Sequence, residues 1–273
     1  MDQDITSADF YRYFLLTFVI SWALWSPFYF SSNVNEFWVL LGAWGPTIAA
    51  LILTYRKKGK KGIRKLLKKI LIWKVKFKYY LFAIFGILSI GIITVFVHKA
   101  FSGNYPNWNV ILEGMGLGKG QVVLAIALSP LFFLINTIFG GPIAEELGWR
   151  GYAQRILQQK YNPNTTGIII GFLWGVWHLP LIIFLPKATG NMPVFAYILL
   201  MIAMGILFSW LYNKTKGSVL LAILLHGGMN FTHGFLGADI LSDKTLLFIQ
   251  VVLIVVTAIL LSIQNKKPIA YNT

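Results

Sequence analysis

Cysteine is absent from the 273 residues, which excludes disulfides and thiolate metal sites and leaves the redox compartment unread. Charge is scarce as well: Asp, Glu, Lys and Arg make up 12% of the chain, where a soluble domain carries about a quarter. No ten-residue stretches alternate apolar and polar residues, so an outer-membrane type of β-barrel is excluded. Long polar linkers are missing too, leaving no room for a separate soluble domain; the chain reads as one domain over 1–273. The start, Met1 to Asp9, is acidic and no small-residue cleavage site follows the first apolar run. A cleavable signal peptide is therefore not expected.

What remains is 57% hydrophobic and falls into runs of about 20 residues, the length an α-helix needs to cross hydrocarbon. The expected fold class is all-α: a polytopic transmembrane helix bundle of about eight spans. They are drawn at 10–30, 36–55, 79–98, 121–158, 165–185, 193–213, 217–237 and 243–264. The fourth is too long for one upright crossing, at about 57 Å for 38 residues. Gly140, Gly141 and Pro142 interrupt it, predicting either one bent helix or two pieces meeting there.

The net charge of +15 does not point to nucleic acid, because its distribution is uneven. Twelve of the 24 Lys and Arg lie between Arg56 and Lys78. There, Ile63, Leu66, Leu67, Ile70 and Leu71 recur among lysines, the pattern of a basic amphipathic helix on an anionic lipid surface. Placing 56–78 in the cytoplasm puts both termini inside and sorts 20 of the 24 cations to that side, as short cytoplasmic loops require. The other side keeps Lys99, Lys119, Lys187 and Lys244. The expected location is the cell membrane, as a multi-pass protein. Trp22, Trp25 and Tyr29 are expected in an interfacial belt.

Ionisable residues inside spans are rare and mark candidate sites. Three short patterns carry them: Glu145-Glu146-Leu-Gly-Trp-Arg150, Trp174-Gly-Val-Trp-His178 and His226-Gly-Gly-Met-Asn230. Glu146 and Arg150, four apart with the acid first, suit an ion pair on one helix face. Glu145 points about 100° away and needs a partner of its own, which makes it the better general base. His226 and Asn230 share one face, with Gly227 and Gly228 opening the surface nearby. Counting from the expected span ends, the three patterns reach similar depths, nearer mid-membrane than the surface and opening toward the cytoplasm. Glu with His suits an activated water, and His226 with Asn230 offers donors for an oxyanion. No Ser or Cys stands beside a base, so an acyl-enzyme is not indicated. A zinc ion on Glu145, His178 and His226 is an alternative, although HExxH is absent. His233 and His98 read as interfacial or structural and are set apart from the site.

The ordered trio resembles the CAAX prenyl protease and bacteriocin-processing family, also called the ABI family of intramembrane endopeptidases. Its pattern is EExxxR, FxxxH and HxxxN on separate transmembrane helices. The resemblance covers 141–230 as a catalytic core and departs at Trp174, where the family has Phe. It implies peptide-bond hydrolysis in or near the membrane, with Glu145 and His178 activating water. His226 and Asn230 would stabilise the oxyanion, while Glu146, Arg150 and Trp174 support the site. No cofactor is expected to be required, zinc being the disfavoured alternative. The substrate would be a membrane-embedded or membrane-associated protein or peptide: a CAAX-like protein, a bacteriocin or a pheromone precursor. A non-catalytic bacteriocin immunity protein is the alternative function, and a small transporter a more distant one.

Overall fold

A computed structural model describes residues 7–31, 34–35, 37–102, 112, 117–118, 120–185 and 192–265, with backbone alone for 7 and 235–242. The segments holding both chain ends, and with them Lys119, Lys187, Lys266 and Lys267, lie outside the described residues. Among the described residues every regular element is helical. In a medium without water, a helix is the way a single segment satisfies its own backbone polar groups.

The chain begins with α1 (Ser7–Trp25) and the short α2 (Pro27–Phe30). Next come α3 (Phe37–Ala43) and α4 (Gly45–Leu67), which runs into a 3-10 turn over Lys68–Leu71. Then α5 (Phe77–Ser102) and α6 (Val122–Phe139) follow. The stretch after them is short and irregular: α7 (Pro142–Glu146), a π-helical stretch over Leu147–Ala153, and α8 (Gln154–Leu157). The remaining helices are α9 (Pro163–Trp177), α10 (Leu179–Phe184), α11 (Val194–Lys214), α12 (Val219–Ser242) and α13 (Lys244–Ser262).

Among the described residues, five helical runs are long and apolar enough to cross a membrane: Phe37–Leu71, Phe77–Phe101, Val122–Phe139, Val194–Lys214 and Lys244–Ser262. The chain is a multi-pass membrane protein. The expected fifth span differs most from its sequence reading. α9 has 15 residues, about 22 Å of helix, and His178 and Pro180 divide it from α10. The long fourth segment resolves into two pieces. Gly141 adopts φ 105° and Pro142 occupies the first turn of α7, a backbone that glycine tolerates followed by the position proline favours.

Local signals fix several starts. Asn162 Oδ1 accepts from the Thr165 amide at 2.9 Å just before Pro163, and Asp243 Oδ1 accepts from Thr245 and Leu246 at 2.7 and 3.2 Å. Both are side-chain caps on otherwise orphaned amides. Packing between α9 and α11 depends on small residues: a Cβ on Gly171 would stand 2.4 Å from the Met201 carbonyl. Such closeness lets apolar helices gain van der Waals contact where hydrophobic burial contributes little.

The bundle has two distinguishable ends. At one, His98 meets Asp243 at 3.1 Å and Tyr29 lies on Phe184 with centroids 4.0 Å apart. At the other, Ser218 Oγ donates to the Ile72 carbonyl (2.6 Å), Asn164 Nδ2 to that of Ser262 (3.0 Å) and Lys214 Nζ to that of Gln264 (3.3 Å). The basic segment belongs to this second end.

The expected aromatic belt around Trp22, Trp25 and Tyr29 is only partly present. Trp25 is 1% exposed, bonded to the Val39 carbonyl at 3.1 Å and packed on Trp177 at 4.6 Å. Trp22 donates to the Trp177 carbonyl at 3.0 Å; Tyr29 alone of the three is largely exposed. Trp25 instead joins a core in which Trp149 packs on Tyr13, Phe14 and Trp177. An indole carries large apolar area and one donor, so burying it with that donor satisfied is favourable.

Candidate active site

Glu145 and Glu146 end α7, and the π-helical turn that follows carries Trp149 and Arg150. Such π stretches are rare and commonly accompany functional sites. Both carboxylates are buried, with Glu146 and Arg150 at 0% exposure, and in that setting a charge needs partners.

The two acids find different ones. Glu146 Oε1 accepts from Arg150 Nη1 at 3.1 Å and from His226 Nδ1 at 2.8 Å. The Arg150 guanidinium also lies 3.9 Å from the Phe208 ring centroid and 5.0 Å from that of Trp174, within cation–π range. Glu145 turns the other way. Its Oε2 accepts the indole N–H of Trp174 at 2.8 Å and that of Trp149 at 3.3 Å. Its Oε1 stands 3.0 Å from where a Cβ on Gly141 would be, so the glycine serves both the turn and the carboxylate's space.

His178 lies at the junction of α9 and α10, with Nδ1 2.8 Å from the Trp174 carbonyl oxygen. A carbonyl only accepts, so Nδ1 carries the proton and the neutral ring keeps its lone pair on Nε2. Asn230 Nδ2 donates to the Gly140 carbonyl at 3.2 Å, which occupies one of its two N–H groups.

Glu145, Trp174, His178, His226 and Asn230 line one cavity of about 390 Å³. Glu146 and Arg150 sit behind its wall and hold it in place. Three further polar residues line the same space: Asn136, Tyr197 and His233. His233, expected outside the site, lies seven residues from His226 on one helix, a spacing of two turns that gives both the same face. Asn136 and Tyr197 belong to no motif, and only packing brings them in. His98, by contrast, is bound to Asp243 at the bundle end.

Two expectations are corrected. Gly227 and Gly228 do not open the cavity: their faces meet Thr137 of α6 and the Ala83 carbonyl of α5, so they bring helices together. The cavity wall also extends through Trp25, Leu185 and Met192, which close α1, follow α10 and precede α11. It therefore runs toward the end marked by His98 and Asp243, not toward the lysine-rich end.

Among the described residues, no group of three or more His, Cys, Asp or Glu is arranged to hold a metal ion. The two histidines each commit Nδ1, to Glu146 and to the Trp174 carbonyl, and Glu145 commits one oxygen to two indoles. These bonds leave Nε2 of each histidine and Oε1 of Glu145 uncommitted, and no step of the mechanism passes through a metal.

A family model of type II CAAX prenyl endopeptidases, Rce1-like, matches residues 127–232. CAAX prenyl protease 2 of Methanococcus maripaludis is 26% identical over 265 residues, covering 91% of this chain and 92% of that protein. Both comparisons make the chain similar to CAAX prenyl endopeptidases, in line with the resemblance of its three motifs. These likenesses support a peptidase working in a membrane. Within the family's pattern, Trp174 stands where Phe is usual, and the structure gives that departure a consequence. Phenylalanine has no donor, whereas Trp174 bonds Glu145 directly.

Proposed function

We propose that this protein is an intramembrane endopeptidase that hydrolyses a peptide bond with a water activated by Glu145 and His178. The observation that carries this reading is the convergence of Glu145, His178, His226 and Asn230 on one buried cavity, from three separate motifs and each anchored by a hydrogen bond.

In this mechanism a water sits between Glu145 Oε1 and His178 Nε2. As its oxygen attacks the scissile carbonyl carbon, its proton passes to the carboxylate, while His178 orients it. Charge builds on the carbonyl oxygen. The second N–H of Asn230 and, in the imidazolium form with Nδ1–H on Glu146, the Nε2–H of His226 receive it. The intermediate collapses by breaking the C–N bond, and the proton held by Glu145 goes to the leaving amine. Base catalysis of this kind contributes about 10²- to 10⁴-fold. A lost oxyanion donor costs about 10²- to 10³-fold.

The substrate in this reading is a membrane-associated protein or peptide that places an apolar segment against Trp25, Trp177 and Met201 in the cavity wall. The name of the Methanococcus relative supports a CAAX-like end, and peptide precursors remain within the same chemistry. No metal takes part, and the segment 56–78 lies on an anionic lipid surface. Incubation of purified wild-type, Glu145→Gln and His178→Ala protein with host membrane peptides tests the reading. Cleavage products should appear with the wild type and fall by at least about 100-fold in both variants. Undiminished cleavage in either, or none with the wild type, overturns it, the second outcome favouring a non-catalytic binding protein. Activity should survive prolonged chelation; its loss, with recovery on zinc, overturns the metal-free part.

A further inference from the structure

At the end of the bundle away from the candidate active site, a second cavity of about 50 Å³ is lined by Lys57, Lys58, Lys65, Lys69 and Arg155. A break in α4 builds it. Gly59 takes φ 57° and ψ −157° inside an otherwise helical run, so the segment carrying Lys65 and Lys69 folds onto Gly151, Tyr152 and Arg155. Lys69 Nζ reaches the Gly151 carbonyl, and Lys57 Nζ pairs with Asp9 at 2.7 Å.

Concentrating cations in this way opposes folding unless something answers it. Lys65 and Lys69 are four apart on one face, a spacing at which like charges repel. Partial burial of Lys57, Lys58, Lys69 and Arg155 adds to the cost of those charges, while Lys65 is exposed. The volume suits a single tetrahedral anion. Just beyond the cavity, Leu71, Trp73 and Phe77 are more than half exposed. Apolar side chains next to a lysine cluster are what an interfacial segment presents to acyl chains while its cations meet the headgroups.

We propose that this cavity is a binding site for the phosphate of an anionic phospholipid headgroup. The phosphate bridges the basic segment to the last residues of the π-helical stretch, from Gly151 directly after Arg150. This inference rests on the reading of 56–78 as a membrane-surface segment, and sharpens it from a diffuse attraction to a seat for one headgroup.

The test uses full-length protein exchanged from mixed vesicles of phosphatidylglycerol in excess phosphatidylcholine, with retained lipids counted by native mass spectrometry. The wild type should retain phosphatidylglycerol at least fivefold above its share of the mixture. Lys58→Gln with Lys65→Gln should abolish that preference, whereas Lys74→Gln with Lys76→Gln, an equal loss of charge outside the cavity, should leave it intact. Equal losses in both double variants overturn the cavity site while leaving surface attraction standing. Absence of any preference in the wild type overturns both. Displacement of the lipid by millimolar inorganic phosphate at unchanged detergent assigns the site to free phosphate and overturns the lipid.

Discussion

The indole N–H of Trp174 donates to the Glu145 carboxylate at 2.8 Å, across 29 residues of sequence. The carbonyl of the same tryptophan holds Nδ1 of His178 at 2.8 Å. One residue therefore sets the position of both groups proposed to share the water, and a site held by its supporting residues depends on such anchors as much as on the reacting groups.

Trp174→Phe keeps the ring and removes the donor. A hydrogen bond to a charged group contributes about 1.5–3 kcal/mol to stability, so the melting temperature should fall only modestly. Misplacement of a reacting group can cost about 100-fold, and kcat should fall substantially while KM stays within about twofold. Steady-state kinetics beside thermal unfolding separates the two; a change confined to KM would falsify the positioning role.

Arg150 and Glu146 test the buried framework. Removing one partner of a buried pair leaves an uncompensated charge, at about 3–5 kcal/mol. Arg150→Met should lower the thermal midpoint strongly in detergent. Adding Glu146→Gln should recover part of the loss, because the orphaned carboxylate is then gone. A double variant as unstable as the sum of the singles argues against coupling between them.

Asn230→Ala should reduce kcat by about 10²- to 10³-fold through the lost oxyanion donor while leaving the fold intact. His226→Ala should do the same and also lower stability, since it removes a second partner of Glu146. Comparing the midpoints of the two variants is the check. Equal stability would show that His226 does not help hold the buried acid.

Absence of cysteine makes topology directly measurable. Ser31→Cys lies at the end toward which the cavity runs, and Lys61→Cys lies in the basic segment at the other. An impermeant maleimide added to intact cells should label the first, and labelling of the second should need the cytoplasmic side exposed. Labelling of both from one side would refute a bundle with its basic end inside and its cavity facing out.

Much of this architecture was legible from composition. Apolar runs with few charges dictated membrane helices, because hydrocarbon requires each segment to satisfy its own backbone. Gly141 and Pro142 announced a break by their stereochemistry, and the break falls there. The Glu146–Arg150 pair was readable from its spacing, since four residues bring side chains together on any α-helix.

Long-range packing decided the rest. No spacing rule connects Glu145 to Trp174, Glu146 to His226 or Asn230 to the Gly140 carbonyl, because each bond joins segments far apart in sequence. Tyr197 and Asn136 enter the cavity only through the way α11 and α6 pack. Its direction, away from the lysines, was equally hidden, since local periodicity says which residues share a face but not which faces meet. By itself, the sequence determined that ionisable groups are buried in membrane helices. The tertiary structure decided which partner each one has, because in a low-dielectric interior that pairing depends on distances only the packed helices set.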